Sequence, residues 1–243
     1  MSEEKHSMDN ILYKKKHVVL MRDCDIYKRL KPSAVLNLFQ DCSETLTEGW
    51  GMGLDMMLER GLVWVLAKLD CQVRRLPVHN EPISIHGWAG RSRTGICPFH
   101  YVIKDAQERE LITGCAFWVL SDLSTHSMMS PNVPRIEMPT PEPEKSPLPR
   151  MQAIVPPETW ETTSRRVLLS ETDINGHLTN TRYIDWVCDL AGFDFHRDHP
   201  MRGLRIDYRA ETFPNEEIEL QYELTDDRLW CRSPGRFDAM ILF

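Results

Sequence analysis

Apolar residues recur along this chain with two different periods. After Pro32, residues Val35, Leu38, Phe39, Cys42 and Leu46 fall at the three- and four-residue spacing of one helix face. Pro32 suits the first turn and Gly49 supplies a stop. Tyr183, Val187 and Leu190 or Ala191 form a second such stripe, with Thr179 or Asn180 as a cap and Gly192 as the end. Each helix is followed by short segments rich in β-branched and aromatic residues, parted by Gly, Pro, Asn and Asp. These are 61–77, 81–90, 95–105 and 110–122, then 203–214, 216–224, 227–233 and 236–243. One long helix and four or so strands, twice over, predict an α+β protein of two repeats, each an antiparallel β-sheet wrapped around a helix.

The two halves also match as strings. DIYKRL, from Asp25, lies on DINGHL, from Asp173, at an offset of 148 residues, and LDCQVRRLP ending at Pro77 lies on IDYRAETFP ending at Pro214. Between the halves, 131–157 holds nine of the sixteen prolines and almost no apolar periodicity, the composition of an extended, semi-rigid linker. The expected organisation is an N-terminal repeat over 1–130, a linker over 131–159 and a C-terminal repeat over 160–243.

Composition narrows the class. No apolar run approaches the roughly 20 residues that span a bilayer, and MSEEKHSMDN lacks the basic start and apolar stretch of a secretory signal, so the cytoplasm is the expected location. Seven cysteines without a C-x-x-C pair predict free, buried thiols rather than disulfides or a zinc ribbon. A net charge of −7 argues against general nucleic-acid binding. Local basic groups exist at Lys14–Lys16, Arg74 with Arg75, Arg91 with Arg93, and Arg165 with Arg166; they read either as solvated faces or as docking points for an acidic partner. His196 and His199 stand three apart with no third ligand spaced to join them, and no metal site is expected.

The repeat offers an internal comparison. Asp173 has a counterpart in Asp25, but Asn175 falls on Tyr27, His177 on Arg29 and, in the strand after the helix, Glu211 on Arg74. An Asp or Asn before a helix commonly caps it or closes an Asx turn, and that reading covers Asp173. Asn175 and His177 approach a helix N-terminus, whose unpaired N–H groups polarise a carbonyl and stabilise a developing oxyanion. Glu211, on an adjacent strand, could take a proton from water attacking the same carbon. Such a set suits hydrolysis of an activated acyl group and calls for no cofactor.

DINGHLTNTRYIDW, Asp173 to Trp186, resembles the D-x-N-x-H-x-N-N-x-x-Y-I-x-W signature of the plant and bacterial fatty acyl-acyl carrier protein thioesterases. GLVWVLAKLDCQV and DYRAET are similar to two further segments of that family. The resemblance implies a tandem (double) hotdog fold and thioester hydrolysis that releases a free fatty acid. It implies catalytic roles for Asp173, Asn175, His177 and Glu211, and an acidic acyl carrier protein as partner. A homodimer is compatible with it. Two positions depart from the family pattern. Thr212 stands where plant members have a cysteine, which favours water attack over a thiolate, and Thr179 replaces the first Asn of the N-N pair while Asn180, at the helix start, keeps the second. The first repeat would shape the acyl tunnel, with Trp50, Met52, Met56, Met57 and Trp64 either lining it or forming ordinary core. The alternatives are an acyl-CoA thioesterase of related fold, an enoyl-thioester hydratase, whose Asp-to-His spacing is one residue longer, and a non-catalytic acyl-thioester binding module.

Overall fold

The computed structural model describes residues 11–92, 95–125, 138–141, 146–148 and 153–243; much of the expected linker, at 131–137, 142–145 and 149–152, lies outside the described residues. Among the described residues the strands are β1 (Tyr13–Val18), β2 (Leu62–Val73), β3 (Pro82–Ala89), β4 (Ile96–Asp105), β5 (Glu110–Asp122), β6 (Glu161–Arg166), β7 (Gly203–Tyr208), β8 (Glu217–Leu224), β9 (Arg228–Ser233) and β10 (Phe237–Leu242). The helices are α1 (Pro32–Gly49), α2 (Leu54–Glu59) and α3 (Asn180–Asp198). The strands form one antiparallel sheet in the order β1-β3-β4-β5-β2-β7-β10-β9-β8-β6. Read inward from either edge the connectivity is the same, so the duplication seen in the strings is a duplication of topology.

The halves join where β2 pairs with β7. Leu69 lies opposite Ile206, and these are the two residues that the string comparison superposes, so a local two-fold axis passes between them. Both point into the core, at 1% and 0% exposure. On the opposite face the axis generates two equivalent ion pairs: Lys68 Nζ to Asp207 Oδ2 at 2.6 Å, and Arg205 Nη2 to Asp70 Oδ2 at 2.5 Å. The alternation of a strand separates these roles, apolar residues facing the helices and charged ones facing out.

Each helix lies on the inner face of its half. In α1, Phe39 stacks on Tyr101 with ring centroids 4.3 Å apart, and Ser43 shares a buried 2.5 Å hydrogen bond with the Tyr101 hydroxyl. The strands beneath carry Gly87 and Gly114 because a Cβ there would lie 2.2 Å from Cys42 Sγ and 2.4 Å from Phe39. In α3, Tyr183 packs edge-on against Tyr208 and Phe237, with centroids 5.5 and 5.1 Å away. Gly192 does not end α3: with φ +73 it kinks the helix, which resumes to Asp198. Trp50, Met52 and Met57 are buried in the first repeat's core, Trp64 donates its indole N–H to the Met52 carbonyl at 2.9 Å, and Met56 is exposed.

Strands β1 and β6 were not expected from the sequence. They are the two edges of the sheet and expose nearly every side chain, so YKKKHV and ETTSRR show no apolar alternation. Their charge discourages edge-to-edge pairing, which gives Lys14–Lys16 and Arg165–Arg166 a structural reason to be basic. The seven cysteines are free, five of them buried and Cys24 and Cys188 half-buried.

The junction ion pairs differ in burial, and this predicts unequal costs. Asp70 is nearly buried, so Asp70→Ala, which takes the carboxylate from the half-buried Arg205, should destabilise the fold by about 2 kcal/mol. Lys68 is 45% exposed, and Lys68→Ala should cost less than about 1 kcal/mol. Urea unfolding of the two variants checks the order.

Candidate active site

The turn before α3 is built by Asp173. Its Oδ1 accepts the N–H groups of Asn175 at 2.9 Å and His177 at 3.3 Å, while its own N–H donates to the His177 carbonyl at 2.9 Å. The turn requires a left-handed residue, which Gly176 provides at φ +77. The first repeat builds the same turn. Asp25 Oδ1 accepts Tyr27 and Arg29 N–H, each at 2.9 Å, and Lys28 takes the left-handed position at φ 64. Asp173 is therefore explained by the backbone it closes, and Asn175 and His177 are not.

What the two turns present differs. In the first repeat the Tyr27 hydroxyl donates to the Phe193 carbonyl at 2.6 Å, and Arg29 donates from Nη2 to the His196 carbonyl at 2.5 Å. Both side chains reach the part of α3 beyond the Gly192 kink and satisfy carbonyls near its end, where a cation also complements the helix dipole. In the second repeat Asn175 is exposed, and no hydrogen bond or ion pair engages its side chain among the described residues. His177 is half-buried, edge-on to Phe213 at 5.0 Å between centroids, with Nε2 3.5 Å from Glu211 Oε2. The imidazole and carboxylate thus meet although 34 positions separate them in sequence.

Glu211 reaches His177 from a loop and not from a strand, since β7 ends at Tyr208. The internal correspondence also changes there. Val78 N–H donates to Glu81 in the first repeat as Phe213 N–H does to Glu216 in the second, and Asn80 and Asn215 both have φ 65. Counting back from these, Glu211 corresponds to Leu76, not to Arg74, because this stretch is two residues shorter in the second repeat. Leu76 is 7% exposed, an apolar residue where the second repeat has its carboxylate.

Thr212 is fully buried. Its hydroxyl accepts from Tyr183 at 2.9 Å and its carbonyl accepts Leu178 N–H at 2.8 Å, so it fastens the Glu211 loop to the turn and to α3. No thiol replaces the missing cysteine: burial pushes the Cys71, Cys115 and Cys231 thiols up to about 12, and raises those of Cys24, Cys42, Cys97 and Cys188 as well. All are protonated at neutral pH and poor nucleophiles. Thr179 is the N-cap of α3 by backbone position; no side-chain hydrogen bond caps the helix, and of its first-turn N–H groups that of Arg182 donates to the Thr179 carbonyl at 2.9 Å. Asn180 begins the helix, and its carbonyl accepts the Tyr208 hydroxyl at 2.8 Å. Glu171 ties the turn to the helix by accepting the Trp186 indole N–H at 2.8 Å, a contact that sequence reasoning missed. His196 and His199 lie at hydrogen-bonding distance from the Cys188 and Phe195 carbonyls, and no group of three or more potential ligands able to hold a metal occurs among the described residues.

Residues 10–133 match the acyl-ACP thioesterase N-terminal domain and residues 156–235 match the C-terminal domain. The chain belongs to the acyl-ACP thioesterase family. It is 23% identical over 232 residues to an oleoyl-acyl carrier protein thioesterase of Coriandrum sativum and 22% identical to oleoyl-acyl carrier protein thioesterase 2 of Arabidopsis thaliana. Each alignment covers 87% of this chain and 62% of the relative, so the chain spans less than two thirds of the length of these proteins. The fold is that of a crystallised acyl-ACP thioesterase from Bacteroides thetaiotaomicron, with a TM-score of 0.85 at 18% identity over 98% of this chain and 99% of the other. The 12:0-ACP thioesterase from Umbellularia californica gives a TM-score of 0.77 at 15% identity, with 96% of each chain covered. The architecture is the double hotdog expected from the sequence. No helix among the described residues is long and apolar enough to cross a membrane.

Fastening groups and presented groups should separate by their effect on stability. Thr212→Val leaves the buried Tyr183 hydroxyl without its acceptor and should cost about 1–2 kcal/mol. Asn175→Ala removes only an exposed amide and should stay within about 0.5 kcal/mol of the parent in the same unfolding measurement.

Proposed function

We propose that this chain hydrolyses the thioester of fatty acyl-acyl carrier protein and releases the free fatty acid. The observation that carries the reading is the 3.5 Å approach of His177 Nε2 to Glu211 Oε2 beside the uncapped start of α3. In this mechanism the acyl carbonyl sits at the helix start, polarised by first-turn N–H groups near Asn180 and by His177. Glu211, oriented with Asn175, takes a proton from water as the oxygen attacks the carbonyl carbon. The tetrahedral intermediate then collapses, the carbon–sulfur bond breaks, and the carrier's thiol leaves with a proton. Asp173 holds the loop that presents Asn175 and His177. Thr212 takes no covalent part.

The division of labour follows the repeats, which we take as 1–130 and 160–243 joined by the proline-rich 131–159. The C-terminal repeat carries the chemistry, and the aromatic and methionine core of the N-terminal repeat, including Trp50, Met52, Met57 and Trp64, shapes the space for the acyl chain.

For the carrier, the basic pairs are not equivalent. Lys14, Arg75 and Arg165 face Glu108, Glu81 and Asp189, and Arg93 lies outside the described residues. Arg166 is exposed, without an acidic side chain at ion-pairing distance among the described residues, and it stands one residue before Val167, which exchanges backbone hydrogen bonds with Asn215 and Glu216 at the end of the Glu211 loop. It is the basic residue best placed to meet an acidic carrier at the site.

Two measurements test this reading. His177→Ala and Glu211→Gln should each lower kcat on acyl-acyl carrier protein by about 10²–10⁴. Unchanged thiol release in both variants would sink the site assignment, and faster turnover of acyl-CoA than of the carrier-bound substrate would move the function to the CoA class. Arg166→Glu should raise KM for the carrier-bound substrate by roughly five-fold, about 1 kcal/mol, with kcat unchanged and the effect fading at high salt.

A further inference from the structure

One residue outside the loop that carries Glu211 binds it at several points. Between β7 and β8 the chain runs free of the ladder over 209–216. The N–H groups of Arg209 and Ala210 both donate to the Arg236 carbonyl, at 2.8 and 3.2 Å. The Arg236 guanidinium reaches back to the same loop, Nη1 donating to the Glu211 carbonyl and Nη2 to Glu216 Oε1 at 2.7 Å. Glu216 in turn accepts Phe213 N–H at 2.8 Å through its other oxygen. Arg236 therefore binds the backbone just before Glu211, the peptide of Glu211 itself and the turn after it.

The first repeat has a clamp of the same kind from a different source. Arg75 donates to the Leu76 carbonyl at 3.4 Å and to Glu81 at 2.8 and 2.6 Å, where Leu76 and Glu81 correspond to Glu211 and Glu216. Its arginine is local, one residue before Leu76. The corresponding position in the second repeat is Ala210, and the guanidinium comes instead from the β9–β10 hairpin. A hairpin inside the sheet is a stiffer anchor than the loop's own side chain, and it ties the Glu211 peptide to paired strands.

We infer that Arg236 is a positioning residue for the reaction, fixing the Glu211 peptide so that the carboxylate stays against His177. This rests on the reading of Glu211 as the base. A planar guanidinium with two donors can bridge a carbonyl and a carboxylate at once, which an ammonium does less well. Small displacements of a catalytic group are costly to rate even when folding tolerates them.

The test is a double-mutant cycle with a rescue. Arg236→Ala should lower kcat about ten-fold or more with little change in KM. The same substitution in the Glu211→Gln background should lower kcat no further, because there is no base left to position. Ala210→Arg, which places the arginine where the first repeat has it, should restore activity to Arg236→Ala; thermal melting of each variant reports folding separately. An equal loss in the Glu211→Gln background would reduce Arg236 to a structural residue and overturn the inference, as would full activity of Arg236→Ala beside an inactive Glu211→Gln. A fully active Glu211→Gln would remove the base itself, and the inference with it.

Discussion

The pairing of β2 with β7 is the constraint on which the rest of the structure depends. The ten strands among the described residues form one sheet only because Leu69 and Ile206 meet at a local two-fold axis, with apolar side chains toward the helices and two ion pairs on the other face. A one-residue slip would turn Leu69 and Ile206 outward and bring Asp70 and Asp207 into the core, so register is strongly specified there. The same axis brings α1 and α3 side by side, and the first repeat's turn lies near the far end of α3. That placement explains how Tyr27 and Arg29 come to bind carbonyls beyond the Gly192 kink.

Duplication gave two identical turns and the structure uses them differently. Asp25 and Asp173 accept the same two backbone N–H groups, so the aspartate closes the turn in both, and Asp25 also accepts Arg29 Nε at 3.0 Å. Tyr27 and Arg29 became fasteners of α3, while Asn175 faces outward and His177 turns to Phe213 and Glu211 from a loop already held by other groups. A side chain that is not needed to hold the fold is available for chemistry. On the first repeat's side the difference has a physical cause in the α3 carbonyls that Tyr27 and Arg29 satisfy.

The loop after β7 is held by groups well separated in sequence. Thr212 joins it to Tyr183 and Leu178, Glu216 closes its turn, and Arg236 spans it. The position of the family's cysteine holds a buried hydroxyl, and burial raises the pKa of all seven thiols.

Local pattern determined a good deal by itself. Pro32, the apolar stripe of α1 and the alternation in the eight inner strands each depend on neighbours in sequence, and the repeat in the strings carried the double architecture. The edge strands β1 and β6 were invisible because strands exposed on most sides need no apolar alternation, and Gly192 read as a stop because a left-handed glycine ends a helix unless something holds the next turn. The candidate residues could be named from sequence, as could the turn that Asp173 builds. Only the tertiary structure decided that His177 and Glu211 meet, that Glu211 answers to Leu76 and lies beyond its strand, and that Arg236 and Thr212 hold it there. Those contacts join residues that sequence separation does not relate, and they exist only once the sheet has closed around its helices.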